Sequence, residues 1–361
     1  MTQVIAMALK PMPIKPAIAD REELSYFEDL SYFEDIVCPE TDTVLMSTCL
    51  NVSFYFRDAN SPEKRQAVLN ILTDYQTMMA GKLNWTTNPQ TGAWKNLHKH
   101  PDISKAYTSP HDWLPTLGDE PWEFIYHGGE HHRDASDIRF NILANATRED
   151  KQGDLSWLTI NFPLTFFADW PETLQDVLLR WLAELQPLHG LASLATTHNH
   201  FDDYQHEPVE YSWSQQFPGL DINNHIRHGL NLQQGIKGIN WLTFLHQDYL
   251  AQVGGLDALK GVQSLTAYQA GEVYMLQAAD MPALQHIPDS YYQLGSTLLP
   301  IRSKERYNVH HFKGEDGTFS AKTYVDWLAR FDNKVSAKPA EGETPVSGKE
   351  PSNDSSHSDG A

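Results

Sequence analysis

The stretch "VLMSTCLNVSFYF", residues 44–56, decides the fold. Val44, Met46, Thr48, Leu50, Val52, Phe54 and Phe56 fall on alternate positions, with Ser47, Cys49, Asn51 and Ser53 between them. Period two sustained over that length predicts a long β-strand with one buried face. The segment that follows, "SPEKRQAVLNILTDYQTMMAG", predicts a helix. Ser61 is placed to cap it, Pro62 opens its first turn, and Val68, Ile71, Leu72, Tyr75 and Met79 share a stripe that ends at Gly81.

Beyond a Trp- and Pro-rich insertion at about 84–120, three further strands are predicted: "WEFIY" (122–126), "IRFNILANA" (138–146) and "LSWLTINF" (155–162). The turn between the first two, in "YHGGEHHRD" (126–134), is read as a hairpin in which Gly128 and Gly129 supply positive φ. "PETLQDVLLRWLAELQP" predicts a helix with Leu174, Val177, Leu178, Trp181, Leu182 and Leu185 on one face, and "LASLA" returns the chain to the sheet. Adjacent strands joined by short loops predict an α+β fold, a mostly antiparallel sheet covered by helices on one face. The expected organisation is an acidic N-terminal segment (1–40), an α+β domain (41–335) with a subdomain boundary near 200–235, and a disordered tail (336–361). The tail almost wholly lacks aromatic and large aliphatic residues and so has nothing to bury. Within the N-terminal segment "LSYFED" occurs at 24–29 and again at 30–35.

Lys and Arg total 27 against 47 Asp and Glu, a net charge of −20. Such a field repels nucleic acid and anionic membrane and attracts basic partners. The two cysteines, Cys38 and Cys49, exclude a disulfide framework and a C-x-x-C knuckle. "VIAMAL" is broken by Lys10, Pro11 and Pro13 short of signal-peptide length, and no apolar run is long enough to span a bilayer. A cytoplasmic location follows as the expectation.

One motif invites a catalytic reading. In "HNHFDDYQHEPVE" (198–210), His198, His200 and Asp202 follow an H-x-H-x-D-D pattern, one residue away from the H-x-H-x-D-H signature of the metallo-β-lactamase superfamily. Two imidazoles on alternate positions of an extended segment can chelate zinc and activate water. Asp203 stands where the signature places a histidine, and the motif comes late in the chain. His225, His228, His246, His286, His310 and His311 are expected in loops or on helix surfaces and offer no completing ligand set. No G-x-S-x-G elbow, Walker loop or G-x-G-x-x-G is present. No catalytic residue, metal or cofactor is therefore expected, and a zinc-dependent hydrolase centred on the HNHFDD motif stands as the alternative.

The C-terminal half carries "QQFPGLDINNH" (215–225) and "GIKGINWLTFLHQDYLAQVGGLDAL" (235–259). Asn240 reads as a helix cap, Trp241, Phe244, Leu245, Tyr249 and Val253 as a core-facing stripe, and Gly254 and Gly255 as its stop. The Pro-Gly-Leu-Asp segment, the G-x-N-W-L-T-F-L block and the Gly-Gly stop resemble the TsiV family of type VI secretion immunity proteins, over about 40–330. The resemblance implies a protein that binds a co-encoded effector toxin, with a nuclease of the VRR-Nuc type as partner, and it implies no catalytic residues. The charge agrees, because a DNA-cutting toxin presents a basic groove that an acidic inhibitor can enter. Two acidic segments are the candidate contact surfaces. One is an exposed loop bearing Asp202, Asp203, Glu207 and Glu210. The other is "DREELSYFEDLSYFED", with Glu28, Asp29, Glu34 and Asp35 interleaved with aromatic anchors.

Overall fold

The computed structural model describes residues 33–99, 108–169, 172–199, 205–304 and 317–332. Asp202, Asp203, Glu28, Asp29 and the tail from Ser336 lie outside the described residues, as do His200, His310 and His311.

The strands are β1 (Ile36–Val37), β2 (Val44–Phe56), β3 (Trp85–Thr87), β4 (Trp94–Asn96), β5 (Trp122–His127), β6 (Arg139–Ala144), β7 (Ser156–Phe162), β8 (His189–His198), β9 (Asp221–Ile222), β10 (Leu242–His246), β11 (Thr266–Ala270) and β12 (Val273–Gln277). The helices are α1 (Pro62–Met78), α2 (Pro110–Trp113), α3 (Thr147–Gln152), α4 (Glu172–Leu185), α5 (Glu207–Gln216), α6 (His225–Asn231), α7 (Gln247–Ala251), α8 (Asp289–Leu298) and α9 (Ala321–Leu328). All these strands form one sheet in the order β11-β12-β10-β8-β2-β7-β6-β5-β3-β4, with β1 added to β2 and β9 to β8. The pairings are antiparallel apart from β8 and β9, which run parallel and are joined through α5.

The long strand predicted from residues 44–56 is the spine of this sheet, and the helix after it forms as expected: Ser61 accepts a hydrogen bond from the Lys64 amide at 3.2 Å. Its alternation is real, but both of its faces are buried, which corrects the expectation of one buried face. Met46, Leu50, Val52, Phe54 and Phe56 join the main core, which α1 and α4 cover through Val68, Ile71, Leu72, Tyr75, Leu178, Trp181 and Leu185. The opposite face is a polar ladder closed on itself. Asn51 donates to Thr159 Oγ1 at 2.7 Å and to Asn161 Oδ1 at 2.8 Å, Ser53 donates to Asn51 Oδ1 at 2.8 Å, and Asn161 donates to Thr197 Oγ1 at 2.9 Å. Register brings these groups opposite one another, Asn51 to Asn161 and Ser53 to Thr159. Buried polar atoms that pair in this way avoid the desolvation cost that would otherwise keep them at the surface. At the end of the same face a second apolar cluster forms from Tyr55, Trp157, Ile222, Leu232, Phe319, Tyr324, Trp327 and Leu328. The sheet is thus covered on both faces, not on one.

The helix predicted from Asn240 to Val253 is also corrected. Leu242–His246 is strand β10, paired with β8 on one side and β12 on the other, and the helix α7 begins only after it. "WLTFL" satisfies helical spacing at Trp241, Phe244 and Leu245, but an apolar run flanked by strands on both sides is equally the pattern of a fully buried strand. Gly254 and Gly255 end the segment as expected, at φ +97° and +72°. The hairpin between β5 and β6 is present, with His127 opposite Arg139. Gly128 and Gly129 do not adopt the expected positive φ. They are small for a different reason: a Cβ on Gly128 would lie 2.6 Å from the Lys82 carbonyl oxygen, and one on Gly129 would lie 2.7 Å from Asp134 Cβ.

Candidate partner-binding surface

The start of β2, the end of β8 and the turn before β6 meet at one end of the sheet. Asn199 donates its amide to the Leu45 carbonyl at 3.1 Å, and Ala135 donates to that of Val44 at 2.7 Å. Arg139, 1 % exposed, bridges beneath them by donating to the His198 carbonyl at 2.8 Å and to that of Asp134 at 3.2 Å. Burial pulls the Arg139 pKa down to about 10, which still leaves it charged at neutral pH. Asp134 is structural: its carboxylate accepts the amides of Val44 at 3.2 Å and His131 at 2.8 Å. Asp137 is pushed up to about 6, first by burial and then by the Asp35 charge, so these two carboxylates share one field.

Above this end lies the chain leading into β2. Glu34, Asp35, Glu40 and Asp42 are exposed there, and Val37 keeps 45 % of its surface open. Phe33 is the anchor that holds the segment down, edge-on to Trp213 at 5.1 Å and to Phe217 at 5.0 Å, both on or next to α5. Trp213 and Phe217 lie within or just after the helix that succeeds the HNHFDD motif. The described end of the N-terminal acidic segment is therefore packed against α5 through Phe33. Glu40 and Asp42 are additions that the sequence reading misses; the signal available is their position in "CPETDT", a turn next to a strand.

Glu207 and Glu210 do not belong to an exposed loop, and that expectation is corrected. Both sit in the first turn of α5, 5 % and 0 % exposed, and the Glu210 carboxylate accepts a hydrogen bond from Thr196 Oγ1 at 2.6 Å. The cause is register: with one turn of helix between them, His206 and Glu210 share the face that packs against the end of β8. His198 is the last residue of β8, its Nε2 lying 2.5 Å from Glu210 Oε1. Among the later histidines expected in loops or on helix surfaces, His228, on α6, is buried instead, with Nδ1 3.2 Å from the Tyr55 hydroxyl.

The wide antiparallel sheet, layered by helices and carrying an acidic surface at one end, defines an acidic α+β protein with a candidate docking face. The chain belongs to the TsiV family, described as type VI immunity for VRR-NUC, whose family model matches residues 67–331. Among solved structures it is similar to the Pseudomonas aeruginosa T6SS protein PA0821, at 22 % identity and a TM-score of 0.73, over 86 % of this chain and 91 % of that one. That likeness is one of fold. No curated protein matches the chain. None of the helices among the described residues is long and apolar enough to cross a membrane.

Proposed function

We propose that this immunity protein acts by stoichiometric occlusion: it binds its VRR-NUC effector through the acidic end of the sheet and covers the basic surface that the nuclease offers to DNA. The observation that carries this reading is the row of exposed carboxylates, Glu34, Asp35, Glu40 and Asp42, set around the exposed apolar Val37. Interfaces of this kind combine an apolar contact at the centre with charged groups at the rim, the charges setting the encounter rate and the desolvated centre setting the lifetime. Asp202 and Asp203, four and five positions past the end of β8 in the sequence, are included in the proposed surface. The net charge of −20 supports the choice of a basic partner and argues against nucleic acid as a ligand. The protein is then an inhibitor and not an enzyme, acting in the cytoplasm where the effector meets DNA.

The test is direct. Purified chain and effector nuclease are mixed at increasing ratio, and DNA cleavage is followed together with complex formation by size-exclusion chromatography. Inhibition complete at a fixed molar ratio, with loss of DNA binding by the effector, supports occlusion. Undiminished DNA binding by a fully inhibited effector would place the contact elsewhere on the toxin.

A further inference from the structure

Beneath the acidic surface, and independent of how the effector is held, three donor side chains converge where β8 ends and α5 begins. His198 closes the strand, His206 caps the helix, and Glu210 lies one turn further on, its amide donating to the His206 carbonyl at 3.0 Å. The i, i+4 spacing sets His206 and Glu210 on the same face of the helix. One ligand atom from each of His198, His206 and Glu210 lies within 4.8 Å of the other two. His198 Nε2 is 2.5 Å from Glu210 Oε1, and the two imidazole rings stack with centroids 4.4 Å apart and an interplanar angle of 26°. Thr196 Oγ1 donates to that same carboxylate oxygen at 2.6 Å and so fixes its orientation. Glu210 is fully buried, and the His198 side chain is 16 % exposed, so a narrow approach from solvent remains.

Two imidazoles and one carboxylate form a donor set suited to zinc and its first-row neighbours, while magnesium and calcium require a shell of oxygens. With metal–ligand bonds of about 2.1 Å, ligand atoms around a tetrahedral ion sit roughly 3.4 Å apart. The widest permitted pair here would have to close by about 1.4 Å, and the hydrogen-bonded His198–Glu210 pair, now at 2.5 Å, would have to open by about 0.9 Å as the ion replaces the shared proton. The buried cation in the same field, Lys237, gives its hydrogen bonds to both Asp221 oxygens at 2.8 Å and to the Ile222 carbonyl at 2.5 Å. Its charge is thereby held against Asp221.

We propose that His198, His206 and Glu210 bind one divalent first-row transition-metal ion of the zinc type, which ties the end of β8 to the first turn of α5. The ligand set differs from the H-x-H-x-D-D motif that the sequence displays, since it takes one histidine from that motif and two residues from in and beside the helix after it. It departs from the sequence expectation of no metal. Its role is to brace the structure: the ion holds together the two ends of the stretch that carries Asp202 and Asp203.

The full chain, freed of metal by dialysis against a chelator, is titrated with cobalt(II) and followed by visible absorption, then with zinc by calorimetry. The expected result is one equivalent per chain, visible d–d bands from nitrogen and oxygen ligands, and a melting temperature that rises with zinc and falls back on chelation. His206→Gln should weaken binding by about tenfold to a hundredfold, whereas the surface control His131→Gln/His132→Gln should leave it unchanged. Failure of both metals to bind the wild-type chain tighter than about 100 μM would overturn the proposal, and that outcome does not depend on any variant folding. So would binding abolished in the surface control and retained in His206→Gln.

Discussion

Phe54 and Phe244 stack face to face across Gly190, with ring centroids 5.5 Å apart and planes 19° from parallel. The three residues lie directly opposite one another on β2, β8 and β10. Gly190 has no side chain, so the aromatic rings of the flanking strands close over it, and the sheet stays packed at the point where its two halves join. A Cβ at this position would lie 2.3 Å from the Ser53 carbonyl oxygen and 2.9 Å from Phe244 Cδ2. Backbone cannot yield as a flexible side chain can. Gly190→Ala is expected to cost about 2–3 kcal/mol and to lower the melting temperature by roughly 4 °C or more. A melting curve that overlays the wild-type curve would show that the strands re-space at little cost.

The ion pair between Asp221 and Lys237 is buried at 1 % and 4 % exposure, and Asp221 also faces Arg330, 3.8 Å away. Arg330 in turn stacks over the Trp327 ring at 3.8 Å and donates to the Pro218 carbonyl at 2.6 Å. One carboxylate thus balances two buried cations. Removing the anion strands both, whereas removing Lys237 leaves Asp221 with Arg330. Asp221→Asn is expected to destabilise by about 3–5 kcal/mol, and Lys237→Met by less. Urea denaturation of the two variants gives the order, and the reverse order would refute this account of the cluster.

His189 supplies an acid-sensitive element. It is fully enclosed, its ring 4.9 Å from Tyr55 and its Nε2–H donating to the Leu232 carbonyl at 3.1 Å, and burial pulls its pKa down to about 4. His127, buried beside Arg139, is pulled down in the same direction to about 3. Between pH 4 and the ordinary histidine value the unfolded chain binds the proton and the folded chain does not, so stability falls as the pH drops through that window. The slope per group is at most about 1.4 kcal/mol per pH unit. Asp137, raised to about 6, acts oppositely by holding a proton in the folded state, which is why a variant comparison is needed. His189→Gln should flatten the loss of stability between pH 6.5 and pH 5 relative to wild type, as measured by denaturant unfolding at each pH. Equal slopes in the two proteins would remove His189 from the explanation.

If the acidic surface steers the effector, neutralising Glu34, Asp35, Asp202 and Asp203 together should lower the association rate by about tenfold at low ionic strength. The difference should fade near 1 M salt, where the screening length is about 3 Å. Glu207 and Glu210 are left out of this set because they are buried and their neutralisation would be read as instability. Stopped-flow association at several salt concentrations decides the matter; a rate unaltered at low salt would move the docking face away from this end of the sheet.

The C-terminal boundary gives a further test. Arg302 is buried and reaches Asp332 Oδ1 at 2.6 Å and the Leu328 carbonyl at 2.5 Å, and Phe331 packs edge-on to Tyr291 at 5.2 Å. Ending the chain after residue 335 keeps all of these and should leave the melting temperature unchanged. Ending it after residue 328 removes the partner of a buried guanidinium and should cost about 3 kcal/mol or more. A loss of several degrees on the cut at 335 would show that the tail is packed.

The sequence alone determined the elements whose evidence is local. The alternation in 44–56, the Ser61–Pro62 start of the helix after it, the strands near 122, 138 and 155, and the Leu-rich stripe of 174–185 are each written within a single segment. Periodicity follows from how successive side chains project, and it needs no partner to be read. The family was legible for a similar reason, since the G-x-N-W-L-T-F-L block is a local pattern. What only the tertiary structure decided is what each segment faces. Residues 242–246 satisfy helical and strand spacing alike, and β8 and β12, distant in sequence, settle the choice by flanking them. Asn51, Ser53, Thr159 and Asn161 look like a solvated face until register places them opposite one another. Glu207 and Glu210 look like surface carboxylates until a helix turn and the end of β8 close over them. Burial belongs to pairs of segments, and a single chain read in order carries no direct record of which pairs form.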